Sequence, residues 1–164
     1  MTTEEIIEAV HALGIPFVLL TGGEPMLQPE LPILAEKLLK AGYKVSIETS
    51  GAHSLTKLPT GVIRIVDIKT PSSGESSKMS PAVLEGLDSQ DAIKFVIADE
   101  FDYQWAVAKL GGLLSGGGPE ILFSPVHGQC SAQNLISWVL RDRLRVRVNL
   151  QLHKYVWGAE AKGV

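Results

Sequence analysis

The chain has 164 residues and a formal net charge of −3 at pH 7, with 45% hydrophobic and 6% aromatic residues. This composition predicts one folded domain over residues 1–164, and the charge gives no support for nucleic acid as a partner. No apolar run is long enough to predict a membrane span, and the acidic start, Met1 to Glu5, is unlike a signal peptide. The single cysteine, Cys130, excludes an internal disulfide and fits a reducing cytoplasm.

The N-terminal half alternates helix and strand patterns. Thr2 and Glu5 have the spacing of a helix capping box, and apolar residues follow at helical spacing until Gly14. The short apolar run 17–20 predicts a buried strand. Further along, the patterns predict a helix over 29–41 and strands over 45–48 and 62–68.

The alternation continues in the C-terminal half. Ser80 and Pro81 predict the N-cap and first turn of a short helix. The patterns then predict a strand over 93–97, a helix over 99–114, a glycine-rich connector over 115–119, a strand over 121–123 and a helix over 134–140. This order of elements predicts an α/β fold with a mostly parallel sheet and flanking helices. Because the order begins with a helix, a first strand is expected to be missing.

The last predicted element is a strand of a different kind. From Arg141 to His153 every odd position is polar, and the even positions from 144 to 152 are apolar. A period of two over this length predicts a strand with one polar face. The arginines of this strand most simply cover a solvated sheet face, whereas Asn149, Gln151 and His153 are candidates for a polar pocket.

In parallel α/β folds, ligands bind at the carboxyl ends of the strands. The first predicted strand leads into Thr21-Gly22-Gly23-Glu24-Pro25. The glycines permit close approach of a ligand to the backbone, and strand-end carbonyls together with a carboxylate suit an ammonium group. An ordinary turn between strand and helix explains the same residues equally well.

The other strand ends also carry polar groups. Glu48-Thr49-Ser50-Gly51 suits a ribose diol, although a helix cap or a solvated loop is the simpler explanation. Asp67 and Lys69 lie on the same side of a strand and can form an ion pair. His127 is a candidate base or ligand contact, although a lone loop histidine is more often neither.

In their order along the chain, these motifs resemble those of 7-carboxy-7-deazaguanine synthases, a family of radical S-adenosylmethionine (SAM) enzymes. The glycine–glycine–glutamate–proline motif is shared by radical SAM enzymes in general. Two further motifs narrow the resemblance, proline–serine–serine–glycine and glutamine–leucine–histidine–lysine. The resemblance covers nearly the whole chain and rests on Thr21–Pro25, Glu48–Gly51, Lys69–Gly74, Ser124–His127, Gln151–Lys154 and Trp157-Gly158.

The resemblance implies a partial (β/α) barrel and a carbon–nitrogen lyase reaction. The family converts 6-carboxy-5,6,7,8-tetrahydropterin to 7-carboxy-7-deazaguanine in queuosine and deazapurine biosynthesis. Its cofactors are SAM, a 4Fe-4S cluster and Mg²⁺, and its members are typically homodimers. Position by position, the resemblance implies SAM contacts for Gly22, Gly23, Glu24, Glu48, Asp67, Ile68, Lys69, Ser124, Pro125, Val126 and His127. It implies contacts with the pterin substrate for Thr21 and for the C-terminal carboxylate of Val164.

The chain departs from the family at the iron–sulfur cluster. The family's three cluster cysteines precede the motif at Thr21, whereas Cys130 lies far downstream. We therefore expect the chain to be incomplete at its N-terminus and, alone, to bind no cluster, cleave no SAM and be inactive. A missing first strand would also leave 17–20 as an apolar edge that self-associates. Two alternatives stay open: a non-catalytic module that binds SAM or a pterin, and a fragment without ligand affinity.

Overall fold

A computed structural model describes residues 1–76, 81–111 and 117–161. Within them, strands form one sheet: β1 (Phe17–Leu20), β2 (Lys44–Thr49), β3 (Ile63–Ile68), β4 (Ala92–Ile97), β5 (Glu120–Pro125) and β6 (Arg147–Val148). The α-helices are α1 (Thr3–Leu13), α2 (Leu31–Lys40), α3 (Glu100–Leu110), α4 (Ala132–Arg141) and α5 (Leu152–Val156). Short 3₁₀ helices cover Pro25–Leu27, Pro71–Ser73 and Pro81–Leu84. Among the described residues, no helix is both long enough and apolar enough to cross a bilayer.

The sheet is open and entirely parallel, with its six strands in chain order from β1 to β6. Crossovers between parallel strands are right-handed, so strands added in sequence place their connecting helices on one face. The sheet therefore has a helix-covered face and an opposite face, which we call the open face. The predicted α/β class and parallel sheet are confirmed.

The helix-covered face contains the hydrophobic core. On β2, Val45 and Ile47 pack with Leu34 and Leu38 of α2. Phe95 and Phe123, on β4 and β5, pack with residues of α3 and α4, including Tyr103, Ala106 and Leu135. The strand register aligns these positions on one side of the sheet, so the alternate positions belong to the open face.

Local sequence signals correctly locate the first helix. Thr2 accepts a hydrogen bond from the Glu5 backbone N–H, and the Glu5 carboxylate accepts one from the Thr2 N–H. These bonds satisfy two of the N–H groups that a helix start leaves without partners. Gly14 ends the helix in the left-handed conformation with φ 64°, which favours glycine.

The prediction that the first strand is buried is wrong. Phe17 is 64% exposed and Leu19 is 49% exposed, because β1 is an edge strand and both side chains lie on the open face. Leu20, on the covered face, is buried against α2. An apolar run therefore marks the strand correctly but does not reveal that one of its faces is uncovered.

The prediction of a long final strand is also wrong. Arg141 ends α4 and pairs with Glu100, and Arg143 turns the chain with φ 54°. Only Arg147–Val148 pairs with β5, and α5 begins at Leu152. The alternation of polar and apolar residues therefore spans a helix end, a short strand and a second helix.

Three smaller predictions fall partly or wholly outside the described residues. The segment that begins at Pro81 is a 3₁₀ helix, whereas the proposed N-cap Ser80 lies outside the described residues. The third helix ends at Leu110, before the predicted end, and the stretch 112–116 is likewise outside them. The predicted contact residue Val164 is also not among the described residues.

The exposed apolar edge of β1 predicts self-association, because an uncovered strand edge offers backbone groups for pairing. We expect the apparent mass of the protein in light scattering to rise with concentration. Leu19→Lys places a charge on this edge and is expected to lower that rise.

Leu140→Lys is the matched control, because Leu140 is an equally apolar, 70% exposed residue on α4, away from β1. A wild-type protein that stays strictly monomeric would contradict the prediction, as would an equal effect of both substitutions.

Candidate functional site

The carboxyl ends of the parallel strands meet at one edge of the sheet. At the end of β1, Thr21, Gly22 and Gly23 are exposed. Gly22 has φ 142°, which L side chains rarely adopt, and no atom outside Gly23 and its two chain neighbours lies within 4 Å of the position that a Cβ of Gly23 would take. The backbone of this turn is therefore open to close approach by a ligand.

The Glu24 carboxylate joins the ends of β1 and β2. Its Oε1 accepts hydrogen bonds from the Met26 N–H at 3.1 Å and from Thr49 Oγ1 at 2.7 Å. Its Oε2 accepts from the Ser50 N–H at 2.9 Å and also from the Ser50 hydroxyl. Four donors occupy the acceptor sites of one carboxylate, so the backbone of the turn, and not this side chain, is open to an ammonium group.

These hydrogen bonds also set the charge state of Glu24. Partial burial raises the pKa of its carboxyl, but the hydrogen bonds from the Ser50 and Thr49 side chains and from the backbone N–H groups of Ser50 and Met26 outweigh burial. The net result is a pKa below the ordinary value, so Glu24 is a carboxylate at neutral pH.

Two ion pairs lie on the open face of the sheet. Lys94 of β4 pairs with Glu48 of β2, reaching across β3, and Lys69 Nζ lies 2.9 Å from Asp67 Oδ2. Burial lowers the pKa of Lys94, although the adjacent carboxylate favours its charged form. The strand ends thus bring Glu48, Asp67 and Lys69 together, as their positions in sequence predict for neighbouring parallel strands.

Two buried polar atoms on this face lack a hydrogen-bond partner among the described residues: Asp67 Oδ1 and Ser124 Oγ. The register pairs Asp67 with Lys94 and Val96 with Ser124, so both atoms lie on the same side of the sheet, on the two strands that flank β4. Leaving a buried polar group without a partner costs free energy, and each such group in a native structure calls for an explanation. A polar ligand at the open face would supply the missing partners.

The loop after β3 is held by a buried aspartate that the sequence analysis did not single out. Asp102 on α3 accepts from the Ser72 N–H at 3.0 Å and the Ala98 N–H at 3.1 Å, and Thr70 Oγ1 lies 2.9 Å from its Oδ2. These bonds fix the proline–serine–serine–glycine loop against the end of β4.

The remaining predicted contacts differ in their exposure. Ser124 and Pro125 are buried at the end of β5, and His127 is exposed, with its ring 5.8 Å from the Tyr155 ring of α5. Ile68 packs in the hydrophobic core on the covered face, so only its backbone faces the strand-end edge. His153 is exposed and therefore belongs to no buried polar pocket.

The predicted contacts line separate cavities in the described structure. Residues 21–24 line a cavity of about 500 Å³ beside α1 and α2. Lys69 and Val126 line one of about 230 Å³, and His127 lines a third of about 410 Å³ with Tyr155. The strand-end edge therefore brings these residues to one side of the sheet without enclosing them around one volume.

The residues present do not fit an iron–sulfur cluster. The chain has one cysteine, Cys130, and its thiol is buried. Within 1–76, 81–111 and 117–161, no group of three or more histidine, cysteine, aspartate or glutamate side chains could hold a metal ion. A cluster of this kind requires several thiolate ligands.

Lys94 is the main site residue that the sequence analysis missed. The signal was present, because Lys94 interrupts the otherwise apolar strand Ala92–Ile97. In a parallel sheet with both faces covered, strands are nearly continuous apolar runs. A lysine in such a strand therefore indicates that one face of the sheet is not packed in the hydrophobic core.

Glu24→Gln is expected to destabilise the fold by about 1–2 kcal/mol at pH 7, since it removes charge-assisted hydrogen bonds that join two strand ends. The lowered pKa of Glu24 means that its contribution is present above the unfolded-state value of 4.5 and is lost as pH falls through the folded-state pKa. The difference between wild type and variant should therefore shrink in acid. Urea unfolding across this pH range measures it.

Glu8→Gln, at an exposed position of α1, is the control and should change little at any pH. A Glu24→Gln effect that stays constant down to pH 3 would contradict the assigned role of the carboxylate.

Comparisons with known proteins identify relatives of this chain. In an alignment of 180 positions, the chain is 41% identical to the 7-carboxy-7-deazaguanine synthase of Koribacter versatilis. The match covers 100% of this chain and 79% of the relative. It is 40% identical to the synthase of the same name from Chlorobaculum tepidum, covering 100% of this chain and 76% of that one. No family model matches the chain.

A solved structure shows the same fold. The crystal structure of QueE from Escherichia coli matches with a TM-score of 0.71 and 21% sequence identity, over 92% of this chain. This chain spans 64% of the length of that solved chain. The identities and coverage of the two synthases establish the relationship: the chain belongs to the 7-carboxy-7-deazaguanine synthase family.

Proposed function

We propose that the chain supplies the SAM- and pterin-binding surface of a 7-carboxy-7-deazaguanine synthase and is inactive alone. The observation that carries the proposal is the pair of buried polar atoms without partners, Asp67 Oδ1 and Ser124 Oγ. Both belong to segments for which the family resemblance implies SAM contacts. Membership of the family supports the choice of SAM over other polar ligands.

The proposed roles follow the chemistry of each strand end. The open backbone at Gly22 and Gly23 would accept hydrogen bonds from the SAM ammonium group, and Glu24 would hold that turn in place. Glu48 would accept from the ribose hydroxyls. The segments Asp67–Lys69 and Ser124–His127 would line the rest of the ligand.

The pterin substrate would bind on the side of this glycine turn opposite to SAM. Thr21 is exposed beside the cavity of about 500 Å³ and would donate a hydrogen bond to the pterin. The carboxylate of Val164 would be the second contact. We extend the proposal to a homodimer acting in the cytoplasm.

The chemistry of the family needs more than this surface. A 4Fe-4S cluster, when bound, supplies the electron for SAM cleavage, and Mg²⁺ accompanies the substrate. One cysteine cannot provide the thiolates of such a cluster. The residues of this chain can therefore bind and orient ligands, but they do not account for the radical step.

Ser124→Ala tests the proposed ligand surface. We expect the affinity for SAM, measured by calorimetric titration, to fall roughly fivefold to tenfold, because a ligand atom loses a hydrogen-bond partner. Thermal stability should stay the same or rise, since the hydroxyl has no protein partner to lose.

Ser46→Ala is the matched control, because Ser46 lies on the same face but its hydroxyl donates to the Val18 carbonyl at 3.4 Å. It should leave SAM affinity unchanged. A wild-type protein without measurable SAM binding would overturn the proposal and favour a fragment without ligand affinity.

Anaerobic reconstitution with iron and sulfide tests the second half of the proposal. We expect the chain to show no stoichiometric iron–sulfur absorbance and no cleavage of SAM after reduction, and Cys130→Ala should give the same spectrum. A cluster close to one per chain would refute the claim that the chain is inactive alone.

A further inference from the structure

Lys94 is a buried charge to which the family resemblance gives no role. It is the third residue of β4, its neighbours along the strand are apolar, and it is only 9% exposed. Lysine is almost never buried to this extent unless it is paired. Its place in the middle of the open face therefore depends on the carboxylates around it.

Two carboxylates lie on the same face of the sheet as Lys94, on the strands to one side of β4. Glu48, on β2, is its partner in the structure, and the pair reaches across β3. Asp67, on β3, is its direct neighbour in the register, at the ordinary strand spacing of about 4.8 Å. Asp67 gives Oδ2 to Lys69, whereas its Oδ1 is one of the buried atoms without a partner in the described structure.

In this arrangement a ligand can reach one carboxylate, and a second carboxylate has an oxygen without a partner among the described residues. The Glu48 side chain is 27% exposed, so a ligand can reach the carboxylate that Lys94 holds. If a ligand draws Glu48 away, Lys94 can turn to Asp67, its register neighbour on the adjacent strand, whose Oδ1 has no partner among the described residues. Each of the two ion pairs, Lys94 with Glu48 and Lys69 with Asp67, is balanced in charge, so an uncharged hydroxyl can enter without disturbing that balance.

We propose that Lys94 is the positioning residue of this face: it orients Glu48 to accept hydrogen bonds from a ribose diol, with Asp67 Oδ1 as its second acceptor. The inference rests on the proposed function, because SAM supplies the ribose. A pair kept only for stability would not need to be charged, because well-packed apolar residues often replace buried ion pairs without loss of stability.

The test compares the binding of SAM with that of its 2′-deoxyribose analogue by calorimetry. We expect the wild-type chain to bind SAM at least about tenfold more tightly than the analogue, because a hydrogen bond to a charged group is lost. Lys94→Met and Glu48→Gln should each bring this ratio close to one. The double variant should show no further decrease, because both substitutions remove the same oriented acceptor.

Lys40→Met is the matched control. It removes a lysine that pairs with Glu36 on the exposed surface of α2, so the ratio should remain at the wild-type value. If circular dichroism shows that Lys94→Met does not fold, Lys94→Gln, which keeps a polar end without the charge, serves in its place.

The outcomes separate the two proposals. A wild-type ratio retained by the Lys94 variants and lost by Glu48→Gln overturns the role of Lys94 alone. A wild-type chain that binds SAM and its analogue equally overturns the ribose role of Glu48 and, with it, that of Lys94. A wild-type chain that binds neither overturns the proposed function itself, before any substitution is made.

Discussion

The fold depends on the constraint that parallel strands joined in chain order place their helices on one side. The core therefore forms between β2, β4 and β5 and the helices that follow the strands, where Phe95 and Phe123 pack against Tyr103. The opposite face receives no helix in the described structure. That face can carry charge, and the strand register determines which charged residues meet on it.

Charge on a half-buried face is stable only when it is compensated. Lys94 with Glu48 and Lys69 with Asp67 provide this compensation across three neighbouring strands. Hydrogen-bond capacity is not fully used, since Asp67 Oδ1 and Ser124 Oγ remain without partners in the part of the chain that the structure describes. A surface balanced in charge and short of hydrogen bonds is suited to a polar ligand with several hydroxyl and amino groups.

Local signals in the sequence were sufficient for much of the fold. The capping box at Thr2, the glycine after the first helix and the apolar strand runs each act within a few residues, so they can be read without tertiary information. The alternation after Arg141 was misleading because Arg143 and the contacts of Arg141 turn the chain at the end of α4. No pattern of period two contains that information.

The site was predictable as a set of strand ends but not as a set of contacts. Order along the chain placed Glu48, Asp67 and Ser124 at one edge, because the strands are parallel. It did not show that Glu24 is saturated by its neighbours, that Asp102 anchors a loop 30 residues away at Ser72, or that Lys94 reaches Glu48. Each depends on side-chain geometry between elements that are distant in sequence.

The Glu24 carboxylate has a consequence for the motions of the molecule. It accepts hydrogen bonds from the turn after β1 and from the turn after β2. Breaking these hydrogen bonds would release both turns together. The two turns should therefore fluctuate in a correlated way and open as one cooperative unit. Amide exchange at Met26 and Ser50 would then follow a common rate, even though the two residues belong to different loops.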